Sequence, residues 1–261
     1  MMRGVRMPAM ELASAAAVAL IAAVCASAGC RSTEEPRALT LTFQLQAGGL
    51  PLRCGVEVAS ERGMVSLRDA RLFVSEVYLI DTKGESTPAA LVADGRWQTR
   101  EVALLDFEDA SGGCEGDTAT NVSVRVTAPP GPYSGVRFVV GVPFALNHQN
   151  PALAAPPLTT GAMQWGWRAG YKFLKVEARV GQTEARVHVG STECQGSIGA
   201  ITGCARPNRG AIEVRNVDPA SAPLVLDVLS LFPVADDLDC MGVHNDPGCS
   251  AAFRTLGIST E

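Results

Sequence analysis

Leu39, Leu41, Phe43 and Leu45 interleave with Thr40, Thr42, Gln44 and Gln46, a period of two that puts one face of an extended segment in a core and the other in water. Similar stretches recur at 71–80, 102–107, 122–127, 136–142, 173–180, 185–189, 212–217 and 224–232. Turn-forming clusters separate them, among them Thr82-Lys83-Gly84, Ser111-Gly112-Gly113, Pro129-Pro130-Gly131 and Val180-Gly181-Gln182-Thr183. After the first thirty residues no segment sustains a 3.6-residue apolar stripe, so helices are expected to be short and few. This pattern predicts an all-β chain: a single antiparallel β-sandwich, Greek-key-like, over residues 38–261, with long functional loops. The one long stretch without strand character runs from 147 to 168 and is rich in Pro, Ala and Gly. A loop of that length inside a compact domain usually carries function.

Residues 1–29 carry Arg3 and Arg6, then a nearly unbroken apolar run from 12 to 24, then small residues up to Cys30. That is the pattern of a signal peptide. Ala26-Ser27-Ala28-Gly29-Cys30 resembles a lipoprotein processing site, which makes Cys30 the expected lipidated residue and 30–37 a tether. Arg31, where an Asp would retain a lipoprotein at the inner membrane, points to an outer-membrane anchor with the body in the periplasm or at the cell surface. No later run reaches the ~18 to 20 apolar residues of a spanning helix, so membrane attachment is expected through the lipid alone. Loss of 1–29 removes two Arg and one Glu, and the net charge of −5 becomes −6. An acidic chain without basic clusters is a poor nucleic-acid binder.

Six cysteines remain, Cys54, Cys114, Cys194, Cys204, Cys240 and Cys249; an even number in an exported chain reads as disulfides. Spacing favours Cys194 with Cys204 and Cys240 with Cys249, leaving Cys54 for Cys114. None forms a C-x-x-C zinc or redox pattern.

Donor side chains are otherwise scarce. Of three histidines, His148 and His188 bracket the Trp165 and Trp167 pair, and Met163 lies in the same interval. Two imidazoles with a thioether or a modified indole satisfy copper in its +1 state without any thiolate, so His148, His188 and, third, Met163 are the candidate ligands. Asn147 and Gln149 are the neighbours expected to orient the His148 ring. The third histidine, His244, reads as a loop residue rather than a ligand. Taken singly, His148 and His188 also read as ordinary turn and strand residues, Met163 as a gap-filler and the tryptophans as packing.

The motifs at ALLDFED (103–109), GVPF with LNH ending at His148, PPL (156–158), Met163 with W-x-W and GYKFL, H-x-G-S-T-x-C (188–194) and the terminal CMGVHNDPGCSAAFRTLGI resemble the MbnP-like family, also called the metallo-mystery pair four-Cys proteins. The resemblance spans nearly all of the chain after the leader. It implies a β-rich domain, copper binding through His148 and His188, and pairing with a dihaem cytochrome c peroxidase-like enzyme that oxidises a tryptophan to kynurenine. Trp165 and Trp167 are then the candidate oxidation sites, with Trp97 a more distant third.

No nucleophile elbow, phosphate-binding loop or dinucleotide fingerprint occurs, so enzymatic activity is not expected. The rival reading is a metal-free surface lipoprotein that binds carbohydrate or acts in adhesion, with Trp165, Trp167 and Tyr171 as a stacking platform. Exposure of those rings separates the two.

Overall fold

The strand expected at the start forms over Arg37–Ala47, and its alternation is realised in burial: Leu41, Phe43 and Leu45 point into the core while the intervening residues stay at least partly exposed. The computed structural model describes residues 35–232 and 239–259. The signal segment, Cys30 and the tether up to residue 34 lie outside them. Among the described residues, Arg37–Ala47 pairs antiparallel with Ser123–Ala128 and parallel with Leu224–Asp227, and Leu50–Pro51 and Ala90–Leu91 complete a five-stranded sheet.

The spine of the second, nine-stranded sheet is Gly63–Asp81. Only 71–80 was expected from the pattern, because the alternation of Val65 and Leu67 is put out of phase with that of Ala70 and Leu72 by an irregularity at Arg68, which the pairing skips. The strand serves two sets of neighbours: residues 65–72 pair with Leu174–Val180 and residues 74–81 with Tyr133–Val140. Between Ser75 and Tyr78 the register shifts, with Glu76 at φ 50°, a bulge that lets one long strand bend around the core. Leu174–Val180 turns into Thr183–Val189 through Gly181-Gln182, Gly181 supplying the positive φ of the tight turn.

The sheets meet over apolar side chains. Phe43 packs edge-on against Phe138, ring centroids 5.6 Å apart, within a core that includes Leu72, Val74, Leu79, Val176 and Val187. Burying each such side chain stabilises by about 1.5–3 kcal/mol. The all-β sandwich is thus as expected, antiparallel except where Arg37–Ala47 meets Leu224–Asp227 and Thr183–Val189 meets Asp239–Cys240.

Three local departures have clear causes. The strand expected over 224–232 stops at Asp227, whose carboxylate accepts from the Leu229 N–H (3.0 Å) and starts the 3₁₀ turn Val228–Leu231. A short helix, Ser250–Leu256, closes the described C-terminal part and ends at Gly257 with φ 65°. The hairpin Thr192–Ser197 with Ala200–Arg206 was missed because most of its residues are polar, glycine or exposed on both faces. Cys54–Cys114, Cys194–Cys204 and Cys240–Cys249 are the disulfides, the pairing that spacing favoured. Among the described residues no helix is long and apolar enough to cross a membrane.

Candidate metal centre

Residues that alternate with the core line the other face of the nine-stranded sheet: Arg71 and Phe73 on the spine, Phe173, Lys175 and Glu177 beside it, and Arg186 and His188 beyond. The segment from Val142 to Tyr171 folds over part of this face. A second apolar cluster forms underneath, made of Phe73, Val102, Leu104, Val142, Leu158, Met163, Tyr171 and Phe173, with Trp97, Leu146 and Ala154 packed against it. The long stretch singled out by composition is therefore a cover with its own core.

His148 caps the C-terminus of the one-turn helix Phe144–Asn147, its ring 4.7 Å from that of Phe144. Its neighbour Asn147 is buried and fully engaged. The Asn147 Oδ1 accepts from Tyr171 N (2.9 Å), and Nδ2 donates to Ala169 O (3.0 Å) and contacts Ser191 Oγ (3.4 Å). That fixed orientation aims the amide N–H at His148 Nε2, 3.0 Å away. An N–H facing Nε2 requires a lone pair there and places the ring proton on Nδ1, which is buried without a partner. Burial lowers the His148 pKa and favours the neutral ring. A side chain at Gly170 would strike Asn147 at 2.4 Å, so the glycine is part of the clamp.

On Thr183–Val189, His188 lies opposite Lys175 and gives its Nε2–H to Glu177 Oε1 at 2.7 Å. The His188 contact and Lys175 hold the Glu177 pKa down at about 2, against the opposing effect of burial. With its Nε2–H given to Glu177, the His188 nitrogen left to coordinate a metal is Nδ1. Behind it runs a buried ionic group: Lys175 reaches Asp69 (2.6 Å), and Arg71 binds Asp69, Asp106 (2.9 Å) and Glu108 (2.5 Å). Burial raises the pKa of Asp69 and of Asp106 despite these partners.

Asn147 ties the His148 turn to Ser191, three residues beyond His188. Trp165 lies against the same corner: a Cβ at Gly190 would meet its ring at 2.8 Å and one at Gly242 at 3.3 Å, so both glycines make room for the indole. The strand Gln164–Gly166 ends before Trp167, which is 44 % exposed, carries the Arg168 guanidinium 4.8 Å above its ring and lines a cleft of about 450 Å³ with His148, Gln149, Asn150, Gln164 and Ile198.

The profile of the MbnP family matches residues 36–251. A solved structure titled MbnP from Methylosinus trichosporium superposes with a TM-score of 0.72 at 32% identity, covering 87% of this chain and 90% of the other. The chain belongs to the MbnP family. No curated protein sequence matches it. The MbnP match takes in every candidate ligand, tryptophan and disulfide cysteine, and begins after Cys30.

Within this MbnP domain, a third set of donor atoms stands beside the cleft: one ligand atom each from His148, Cys194 and Cys204, all within 4.8 Å of one another. Both sulfurs are joined in the hairpin disulfide, with His148 Nε2 3.4 Å from Cys204 Sγ. Met163 is fully buried in the second apolar cluster. Trp97 sits at the edge of that cluster, under the Arg96 guanidinium. His244 is buried against Phe253, and its Nε2–H goes to Asn208 Oδ1 at 2.8 Å. The rings proposed as a stacking platform do not form an exposed row, because Tyr171 is buried edge-on against Phe73 and Trp165 is half-buried.

Sequence reasoning overlooked Glu177 and the nearness of His148 to a disulfide. The first was findable: the two-residue turn at Gly181-Gln182 sets Lys175 opposite His188 and puts Glu177 on the adjacent diagonal. Nothing in the sequence signalled the second.

Proposed function

We propose that this MbnP-family chain is an exported copper-binding protein in which His148 and His188 hold Cu(I), with Trp165 or Trp167 as the neighbour that a haem partner oxidises to kynurenine. One observation carries the reading: Glu177 takes the Nε2–H of His188, the carboxylate–histidine contact that orients a metal-binding ring, and leaves Nδ1 to coordinate. The Asn147 amide N–H points at Nε2 of His148 and holds that ring in place, a contact that gives way when copper binds there. Two imidazoles beside soft or aromatic groups suit Cu(I) better than a hard cation.

The other parts of the reading follow from the leader and the family resemblance: a lipid at Cys30, an outer-membrane or periplasmic location, a dihaem cytochrome c peroxidase-like partner, and a role in copper acquisition, storage or handover without catalysis by this chain. Trp167 is the more accessible indole and Trp165 the one nearer the His188 strand.

Copper content of the purified oxidised protein tests the ligands. Wild type is expected to hold about one copper per chain and the His148→Ala/His188→Ala variant none; unchanged stoichiometry in the variant refutes the assignment. For the partner, intact mass after incubation with the haem enzyme and peroxide should show a tryptophan that gained two oxygens and lost carbon monoxide. An unaltered mass removes that part of the reading.

A further inference from the structure

We infer that His148, Cys194 and Cys204 form a second, redox-gated metal site, closed while the disulfide is intact and able to bind a soft cation of the Cu(I) class once a dithiol has opened it. In the disulfide neither sulfur is a thiolate, the form that binds metals. Cys194 and Cys204 face each other across the hairpin, whose pairing from Thr192↔Arg206 to Ser197↔Ala200 keeps the two strands together without the bridge.

Exposure makes the opening selective. Cys54, Cys114, Cys194, Cys240 and Cys249 are buried, whereas Cys204 is partly exposed. A thiolate of the dithiol attacks Cys204 Sγ, and Cys194 departs as thiolate with the electron pair of the S–S bond. The reagent's second thiolate then attacks its own sulfur in the mixed disulfide and releases Cys204. Two electrons have entered the protein and the reagent leaves as its disulfide. Binding of the cation holds both cysteines as thiolates, their protons passing to solvent.

The geometry is nearly that of a bound ion. Nitrogen and sulfur ligands at about 2.0 and 2.3 Å from one tetrahedral centre stand about 3.5 Å apart, and His148 Nε2 already lies 3.4 Å from Cys204 Sγ. Asn147 Nδ2 stands 3.0 Å from that same nitrogen and gives up the contact when the cation binds. Side-chain rotation at Cys194 and Cys204 supplies the remaining separation between sulfurs. Two thiolates and one imidazole are soft donors, and the adjoining cleft adds the carboxamides of Asn147, Gln149, Asn150 and Gln164 and the Tyr171 hydroxyl but no carboxylate, which favours a soft cation content with few ligands.

This site shares His148 with the copper reading but not His188, so His188→Ala separates them. Oxidised His188→Ala should bind no copper; after limited dithiol treatment and anaerobic desalting it should take up about one Cu(I) per chain, with thiolate-to-copper charge-transfer absorption. Alkylation and peptide mass should find Cys194 and Cys204, and no other pair, opened. Adding Cys194→Ser/Cys204→Ser should abolish uptake and absorption. If that variant does not fold, His148→Ala with its disulfide intact before reduction serves instead, and should bind Cu(I) about tenfold more weakly when reduced. Absence of uptake on reduction, prior opening of another disulfide, or a thiolate band that survives both substitutions overturns the inference. Copper retained by oxidised His188→Ala would count against the copper reading alone.

Discussion

On one face of the nine-stranded sheet, Leu72, Val74 and Val176 meet the facing sheet in an apolar core; on the other, Arg71, Phe73, Lys175 and Glu177 from the same strands meet a loop and one another. The first face follows from alternation and is held by area removed from water. The second is a patchwork, apolar under the Val142–Tyr171 cover, ionic around Arg71, and imidazole-bearing at His188. Every candidate ligand sits on or beside the second face, where position is set by directional bonds rather than by packing alone. Metal chemistry needs that directionality, because a ring nitrogen binds only if its proton is held elsewhere.

The strongest way to break the contrast is Arg71→Ala. It would leave Asp69, Asp106 and Glu108 buried without their shared guanidinium, and removal of one partner from a buried ionic group costs about 3–5 kcal/mol. Chemical denaturation measures this; a loss under about 1 kcal/mol would mean that solvent relieves these carboxylates and that the second face is held by its apolar half. A smaller effect, specific to the metal, is expected from Glu177→Gln. The carboxamide keeps the shape but not the charge that locates the His188 proton, so Cu(I) affinity should fall about 10- to 100-fold with little change in folding stability. Equal affinity in a competition titration would remove His188 Nδ1 from the coordination.

The first face was legible in the sequence and the second only in part. Leu41, Phe43 and Leu45 announce their strand by an unbroken period of two, whereas in the first half of Gly63–Asp81 the irregularity at Arg68 shifts the phase between Val65-Leu67 and Ala70-Leu72. Composition singled out the cover over 147–168, and the scarcity of donor side chains singled out His148 and His188, a pair that the resemblance reinforced. Their settings were not readable: Asn147 clamps His148 through Tyr171 and Ala169, twenty-odd residues away, and Cys204 reaches the ring from a hairpin whose polar residues give no strand signal. Such contacts depend on how the cover docks, which no local pattern encodes.

The smallest effect concerns the turn that brings Trp97 to the edge of the second apolar cluster. Asp94 Oδ1 accepts from the N–H groups of Arg96 (2.9 Å), Trp97 (2.7 Å) and Gln98 (3.0 Å), and Oδ2 meets Arg125 at 3.1 Å. Burial works to raise the Asp94 pKa, but the three N–H groups and Arg125 outweigh it and the net shift is downward from 3.8. A carboxylate whose pKa is depressed by folding contributes stability that is complete above its unfolded value and is lost as pH falls through the folded one. Asp94→Ala should therefore cost about 1 kcal/mol at neutral pH, and the gap between variant and wild type should close on acidification below 3.8. A gap that stays constant into strong acid would show that the turn is held by the packing of Trp97 against the second apolar cluster rather than by the Asp94 charge, extending the logic of the first face to this edge of the second.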